Sequence, residues 1–197
     1  MNRLSGIIVL IICLVCFGCK TVSKTNIIVD EDDYSRSIHT IAVMHFDEQL
    51  ISGKEVEGTF IKTYTNTNAG EMLATMISRE LSQLETYNVL SRADITDIIN
   101  ENYADEKNLV SRRDYAGLGK LLGVDSVVIG NILTFKLANN LIYERGTVSF
   151  IAECIDTKNG NVLWTIEANE SAVYKDEVEL AEKAVKNSID KLRNELQ

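Results

Sequence analysis

The sequence predicts a mixed α/β fold, an α+β sandwich in which one mixed β-sheet packs against helices. Apolar, β-rich runs alternate with helical stripes along the first two thirds of the chain. Three consecutive strand patterns follow, and an amphipathic helix comes last. Alternating strands and helices imply crossover connections, whereas consecutive strands imply an antiparallel meander. The expected order of elements is therefore β-α-β-α-α-β-β-β-α.

The first half of the chain contains the crossover part of this pattern. Its predicted elements are a buried strand at 38–46, a long loop over 47–66 with room for an irregular hairpin at 58–64, a helix with an apolar stripe over 72–84, and a strand at 87–91. Thr67 or Asn68 is expected to cap the helix, and Glu71 suits its first turn.

The second half contains two more helices, the meander and the final helix. Its predicted elements are a helix at 92–102 capped by Ser91, a helix at 112–122 that starts at Ser111, strands at 124–135, 143–156 and 162–169, and a helix at 176–196. Gly123 is expected to end the second of these helices as a C′ residue. The dipeptide Asn159-Gly160 predicts a type I′ hairpin turn between the last two strands.

The N-terminal residues have the pattern of a secretory signal. Arg3 is followed by an uncharged apolar run that ends at Gly18. This run is too short for a comfortable membrane span, which needs about 20 apolar residues. Gly18 is the small residue that a signal peptidase requires before the cut. The sequence therefore predicts a signal peptide over 1–18, cleaved between Gly18 and Cys19.

The residues around this cut, CFGC at 16–19, resemble the lipobox of bacterial lipoproteins. The resemblance implies that the Cys19 thiol is diacylated, that the signal is removed and that the new N-terminus is acylated. Cys16 is the less favoured lipidation site, because Val15 is larger than the residue usual before the modified cysteine. A plain signal peptide, or an uncleaved anchor with cysteines as small hydrophobes, remains the alternative.

A lipid on Cys19 would anchor the protein without a membrane-spanning helix, because two or more acyl chains give stable attachment. Residues 19–37 are polar, with four acidic residues at 30–33, and predict a flexible tether before a domain at 38–197. Lys20, rather than an aspartate, follows Cys19. In the sorting rule of enterobacteria this implies the outer membrane, with the domain expected to face the periplasm.

The charge of the chain limits its partners. There are 20 basic and 29 acidic residues, for a formal net charge of −9. An acidic chain without a basic stretch is not typical of nucleic-acid binding, which depends on neutralising phosphates. The same charge argues against electrostatic docking to anionic lipid. Protein partners in the cell envelope remain the expected ones.

The sequence predicts no enzyme, no metal site and no cofactor. The two histidines, His39 and His45, lie six residues apart on one predicted strand. They are therefore separated by about 20 Å and cannot share a metal ion. Packing or solvation accounts better than chemistry for Cys154, for the carboxylates Glu101, Asp105 and Glu106, and for the glycines at 117–119.

Four segments, taken in order, are similar to the CsgG family of bacterial outer-membrane lipoproteins. They read IAVMHFDE at 41–48, SRADITDIINEN at 91–102, YAGLGKLLGVDSVVIGNILTF at 115–135 and ECIDTKNGNVLWT at 153–165. The resemblance extends over residues 38–192. Its most specific parts are residues 118–130 and the DTKNG turn at 156–160.

This resemblance implies a non-enzymatic, oligomeric component of an envelope export or surface-assembly complex of the curli type. The family's pore requires hairpins of about 20 additional residues, since each membrane strand needs about 9–11. The intervals at 136–146 and 165–175 are too short and too charged, so we do not expect a pore. The alternative is a lipoprotein activator of a peptidoglycan synthase, of the LpoB type.

Three side chains are candidates for a subunit or partner contact. Arg92 and Glu101 lie on either side of the second predicted helix, and could form either a structural pair or part of a subunit contact. Trp164 is the single tryptophan, and either core packing or a partner contact would explain it.

Overall fold

The computed structural model describes residues 21–30, 39–51, 61–66, 68–140 and 143–197. The elements in this part of the chain are β1 Val22–Val29, β2 His39–Val43, β3 Ile61–Thr65, α1 Ala69–Leu81, β4 Tyr87–Leu90, α2 Arg92–Glu101, α3 Glu106–Ser111, α4 Tyr115–Leu122, β5 Ser126–Asn140, β6 Glu144–Asp156, β7 Val162–Val173 and α5 Glu177–Glu195. The predicted class, a mixed sheet with helices, is confirmed.

One mixed sheet contains all seven of these strands. Six of them lie in the order β1-β7-β6-β5-β2-β4, and β3 pairs with the far end of β5. β2 is parallel to both β4 and β5, because helices cross over between them. β5, β6 and β7 pair antiparallel, as consecutive strands joined by short turns do, and β1 pairs antiparallel with β7 although the two strands are far apart in the chain.

Helices cover the two faces of the sheet unequally. Successive side chains of a strand point to opposite faces, so Ile41 and Val43 enter one apolar cluster while Ala42 and Met44 enter another. The larger cluster packs α1 and α5 on the sheet and includes Leu73, Ile77, Trp164, Leu180, Val185 and Ile189. The smaller cluster packs α2 and α4 over β2 and the start of β5. β2 is therefore covered by helices on both of its faces.

The predicted tether over 19–37 is wrong for residues 22–29, which form β1. All eight residues of this strand pair with β7, at one edge of the sheet. Ile27 and Val29 pack against the larger cluster, while Ser23, Lys24 and Asn26 are exposed. A strand with one solvated face and one open edge has a polar composition, which is why these residues read as a tether. The sheet domain therefore begins at Val22 rather than at residue 38.

Several local predictions also differ from the structure. β3 forms within the predicted loop and pairs with β5, and the first half of the irregular hairpin predicted at 58–64 lies outside the described residues. α3 forms between the predicted helices at 92–102 and 112–122, where no element was predicted. α4 begins after Asp114, not at Ser111, because the Asp114 side chain accepts a hydrogen bond from the Gly117 N–H. The predicted caps at Ser91 and Gly123 are confirmed.

The turn between β6 and β7 is a hairpin connection, but it is not type I′. That type needs positive φ at both central residues, and here Gly160 has a φ of 77° while Asn159 has no positive φ. The Gly160 N–H donates instead to the Asp156 carbonyl at 2.9 Å, and the Asp156 carboxylate accepts from the Lys158 N–H at 2.6 Å.

Candidate functional site

A half-buried cluster of charged side chains lies at the carboxyl end of β2. Parallel β2 and β4 end at the same edge of the sheet, and the helices that follow β4 begin there. The Ser91 side chain caps α2 by accepting from the Asp94 N–H at 3.1 Å. This cap places Arg92 at the first position of the helix, facing the end of β2. We refer to Arg92, Glu71, Glu106 and His45 as the Arg92 cluster.

Arg92 joins three separate elements through its guanidinium group. It forms paired hydrogen bonds with the Glu71 carboxylate of α1, at 3.0 and 2.6 Å. It forms a second pair with the Glu106 carboxylate of α3, at 2.9 and 3.0 Å. It also donates to the Val43 carbonyl at 2.7 Å, and its side chain is 11% exposed. Such bidentate pairs fix orientation as well as distance.

The ionisation of the cluster follows from these contacts. Burial lowers the pKa of Arg92, but hydrogen bonds and charges from Glu106 and Glu71 raise it well above its usual value. Burial raises the pKa of Glu71, yet the hydrogen bonds and charges of Arg92 and then His45 hold it below its usual value. Arg92 and Glu71 are therefore both charged at neutral pH.

His45 completes the cluster from the end of β2. Its backbone N–H donates to Glu106 at 2.6 Å, and its Nδ1 lies 3.6 Å from a Glu71 oxygen. Its Nε2 is buried without a hydrogen-bond partner among the described residues and faces Gly70, where an added Cβ would lie 2.6 Å away. The imidazole is therefore packed against the backbone of α1.

A cavity of about 180 Å³ adjoins this cluster, lined by residues that include His45, Glu48 and Lys107. It is smaller than a typical ligand pocket of about 300–1,000 Å³. Because the charges of the Arg92 cluster are satisfied by one another, its arrangement is suited to holding three helix starts together.

A second polar cluster explains the most specific segments of the sequence. The Thr40 hydroxyl and N–H donate to the Asp125 carboxylate at 2.7 and 3.2 Å. These hydrogen bonds, of which the hydroxyl's has the larger effect, hold the pKa of Asp125 below its usual value. The Thr157 hydroxyl donates to the Asp125 carbonyl at 2.8 Å, and an added Cβ on Gly119 would lie 2.5 Å from that hydroxyl. The GVD segment after α4 and the DTKNG turn therefore contact each other directly.

The structure separates the three candidate contact residues. Arg92 pairs with Glu71 and Glu106 and not with Glu101, which is exposed at the end of α2. Trp164 is 1% exposed, and its Nε1 donates to the Tyr87 hydroxyl at 2.8 Å. These contacts correspond to the core-packing interpretation of this residue. Gly18 and Cys19, the predicted cleavage and lipidation residues, lie outside the described residues.

The remaining reactive groups have structural surroundings. Burial raises the pKa of the Cys154 thiol to about 12. In the described ranges, no three His, Cys, Asp or Glu side chains are grouped so that they could hold a metal ion. None of the helices in those ranges combines the length and apolar character needed to cross a membrane.

Sequence reasoning missed the partners of Arg92. Glu71 and Glu106 lie 21 and 14 residues from it, so no short-range spacing connects them. Glu71 was visible only as an acidic residue suited to the first turn of a helix. Placing all three helix starts at one strand end would have required the parallel register of β2 and β4.

Comparisons with known proteins give a family and a set of similar folds. The sequence profile described as "Curli production assembly/transport component CsgG" matches residues 28–140. Among solved structures, the PelC dodecamer from Paraburkholderia phytofirmans is 11% identical, with a TM-score of 0.55 over 87% of this chain and 98% of that one. Lipoprotein GNA1162 from Neisseria meningitidis is 16% identical, with a TM-score of 0.58 over 79% and 98%.

A weaker likeness is to the LpoB C-terminal domain from Salmonella enterica, which is 11% identical, with a TM-score of 0.43 over 69% of this chain and 85% of that one. No curated protein sequence matches the chain. The structural likenesses, at these identities, establish the fold alone. The profile match extends over more than half of the chain, and the chain therefore belongs to the CsgG family.

Proposed function

We propose that this protein is a lipid-anchored, non-enzymatic subunit of an envelope export or surface-assembly complex of the curli type. The observation that carries the proposal is the family match over residues 28–140, whose description names curli production, assembly and transport. The packing of the Arg92 cluster supports a binding role, because its charged groups are engaged with one another rather than presented to a substrate.

The N-terminal sequence supports attachment to a membrane. In this proposal the signal at 1–18 directs export, cleavage follows Gly18, and Cys19 carries the acyl chains. Lys20 in the next position favours the outer membrane, and the domain faces the periplasm. Lipoprotein GNA1162, whose fold is similar, is named as a lipoprotein.

The position of β1 favours this function over the activator alternative. β1 begins only three residues after Cys19, and three extended residues span about 10 Å. A lipid on Cys19 would hold the domain close to the membrane surface. An activator that reaches its synthase through the cell wall would need a much longer connection.

Association of several copies fits the same role. The similar PelC structure is a dodecamer, and a subunit of a membrane-level complex acts by joining partners. We propose that this protein also forms a closed homo-oligomer. A ring requires two different, complementary surfaces on each copy, rather than one self-complementary patch.

The lipid anchor is tested by Cys19→Ser in the full chain expressed in bacteria. We expect the variant to lack the mass of the acyl chains and, once its signal is cleaved, to leave the membrane fraction, because the serine hydroxyl does not take the place of the acylated thiol. Fractionation followed by intact-mass measurement checks this. Cys16→Ser is the matched control, and it should stay in the membrane fraction with the lipid mass intact. An acyl mass that remains on Cys19→Ser, or loss of the lipid from Cys16→Ser, would contradict the assignment of Cys19.

A further inference from the structure

We propose that one end of the sheet, formed by Val22, Tyr143 and Tyr174, rests on the lipid headgroups of the membrane. We call this part of the molecule the tyrosine end. The inference rests on the proposed lipidation of Cys19, and adds to it the orientation of the domain and the surface that meets the bilayer.

The strand register places the tyrosine end beside the anchor. β1 runs away from this end, and Val22 pairs with Ser171 of antiparallel β7. Three residues before Val22 is Cys19, and three residues after Ser171 is Tyr174. Three extended residues span about 10 Å. The lipidated residue can therefore reach the level of Tyr174 and little farther, which leaves no room for the domain to stand away from the bilayer.

Two exposed tyrosines lie together at this level. The Tyr174 N–H donates to the carbonyl of Glu144, the residue that follows Tyr143, at 2.9 Å. Tyr174 is 70% exposed, and Tyr143 is also among the exposed large side chains. Tyrosine is enriched at membrane interfaces, because its ring is apolar and its hydroxyl remains hydrated.

The backbone at Tyr174 is one of three non-glycine positions with positive φ among the described residues. Its φ is 59°, in the left-handed region that favours glycine. A bulky residue in this conformation carries a conformational cost and is an observation from which a functional hypothesis can be drawn. Because Tyr103 and Arg113 share this conformation, the position beside the anchor is what distinguishes Tyr174.

Among the described residues, the charges at this end do not form a basic patch. Arg145 is half-buried and donates to the Ser171 hydroxyl at 3.4 Å. Lys175 is paired with Glu179. In this arrangement the acyl chains supply the affinity, and the tyrosines set the orientation at the headgroup level.

β1 is fixed firmly enough to transmit that orientation. The Glu170 side chain of β7 is 0% exposed and accepts hydrogen bonds from Ser23 of β1 and, at 2.9 Å, from Lys183 of α5. Lys191 of α5 donates to the Thr25 carbonyl at 3.2 Å. Because the first residues of β1 are tied to α5, a lipid on Cys19 holds the whole domain and not a loose strand.

The test places a tryptophan at the tyrosine end of the full-length, lipidated protein. Tyr174→Trp is reconstituted in phosphatidylethanolamine and phosphatidylglycerol vesicles whose acyl chains carry bromine, a quencher of nearby tryptophan. Trp164 is 1% exposed in the core and gives a constant background. The matched control is Tyr103→Trp. Tyr103 is also left-handed, with a φ of 52°, and is 99% exposed, but it follows α2 over the other half of the sheet.

We expect the added fluorescence of Tyr174→Trp to fall to about half in brominated vesicles, and that of Tyr103→Trp to stay unchanged. Equal quenching of the added tryptophan in the two variants, or quenching only at residue 103, would overturn the proposed orientation. Intact mass measured on the same samples separates the two proposals: a lipidated protein without quenching at 174 refutes only this inference, whereas a protein without lipid refutes both. If circular dichroism shows that Tyr174→Trp is unfolded, Tyr143→Trp takes the same test with the same expected result.

Discussion

Replacing Arg92 by methionine is expected to lower the free energy of unfolding by about 2–3 kcal/mol, because the change leaves two half-buried carboxylates without their hydrogen-bond partner. Glu106 and Glu71 each lose two hydrogen bonds to the guanidinium, and the Val43 carbonyl loses its donor. Methionine fills much of the same volume, so the loss reports the interactions and not a cavity. Urea unfolding followed by circular dichroism measures the change.

The matched control for this experiment is Arg79→Met. Arg79 is 57% exposed and pairs with the adjacent Glu80. An exposed pair of this kind is worth at most about 1 kcal/mol. Equal losses for Arg79→Met and Arg92→Met would show that the Arg92 cluster does not hold the helix starts together.

The same variant should change how stability depends on pH. The pKa of Glu71 is lowered in the folded protein from its ordinary value of 4.5. A depressed carboxylate pKa contributes stability that is present above the unfolded pKa and is lost as the pH falls through the folded pKa. The acid loss of stability should therefore be shallower in Arg92→Met below about pH 4.5, because the group that lowers the Glu71 pKa is gone.

Replacing Trp164 by alanine is expected to cost about 3–5 kcal/mol, as removal of a fully buried aromatic side chain does. Trp164 lies in the larger cluster under α5, and its hydrogen bond to Tyr87 joins β7 to β4. Urea unfolding followed by circular dichroism again gives the change, since the variant has no tryptophan fluorescence.

Leu133→Ala serves as the comparison for Trp164, because Leu133 lies on β5 with its side chain exposed. Its stability should stay within about 0.5 kcal/mol of the unchanged protein. A Trp164→Ala variant that unfolds normally but no longer retains its envelope partners would instead support the partner-contact interpretation of this residue.

The elements with strong apolar periodicity could be predicted from the sequence, whereas those with little buried surface could not. The final helix was predicted at 176–196 and is observed as Glu177–Glu195, because its buried residues repeat at helical spacing along its length. α3 was missed, since its six residues include no buried side chain. β1 was missed because its composition reflects its solvated face, while its pairing with β7 is a long-range contact.

The candidate site was predictable only in part, for a related reason. The capping function of Ser91 is local and could be predicted from residues 91–94. The pairing of Arg92 depends on which strands lie next to each other, and no local pattern contains that information. The four segments that are similar to the CsgG family allowed the fold to be predicted. They did not explain why these residue types occur at these positions. That reason is the contact among Gly119, Asp125 and Thr157, which joins α4, β5 and the turn after β6.

The mass of the lipidated protein in mild detergent, measured by mass photometry, tests most directly whether it acts as a subunit of a membrane-level assembly. The proposed function predicts one dominant species, whose mass is a large whole-number multiple of the lipidated protomer, as in a closed ring. A monomer at every concentration, in detergent that retains the lipid on Cys19, would contradict it.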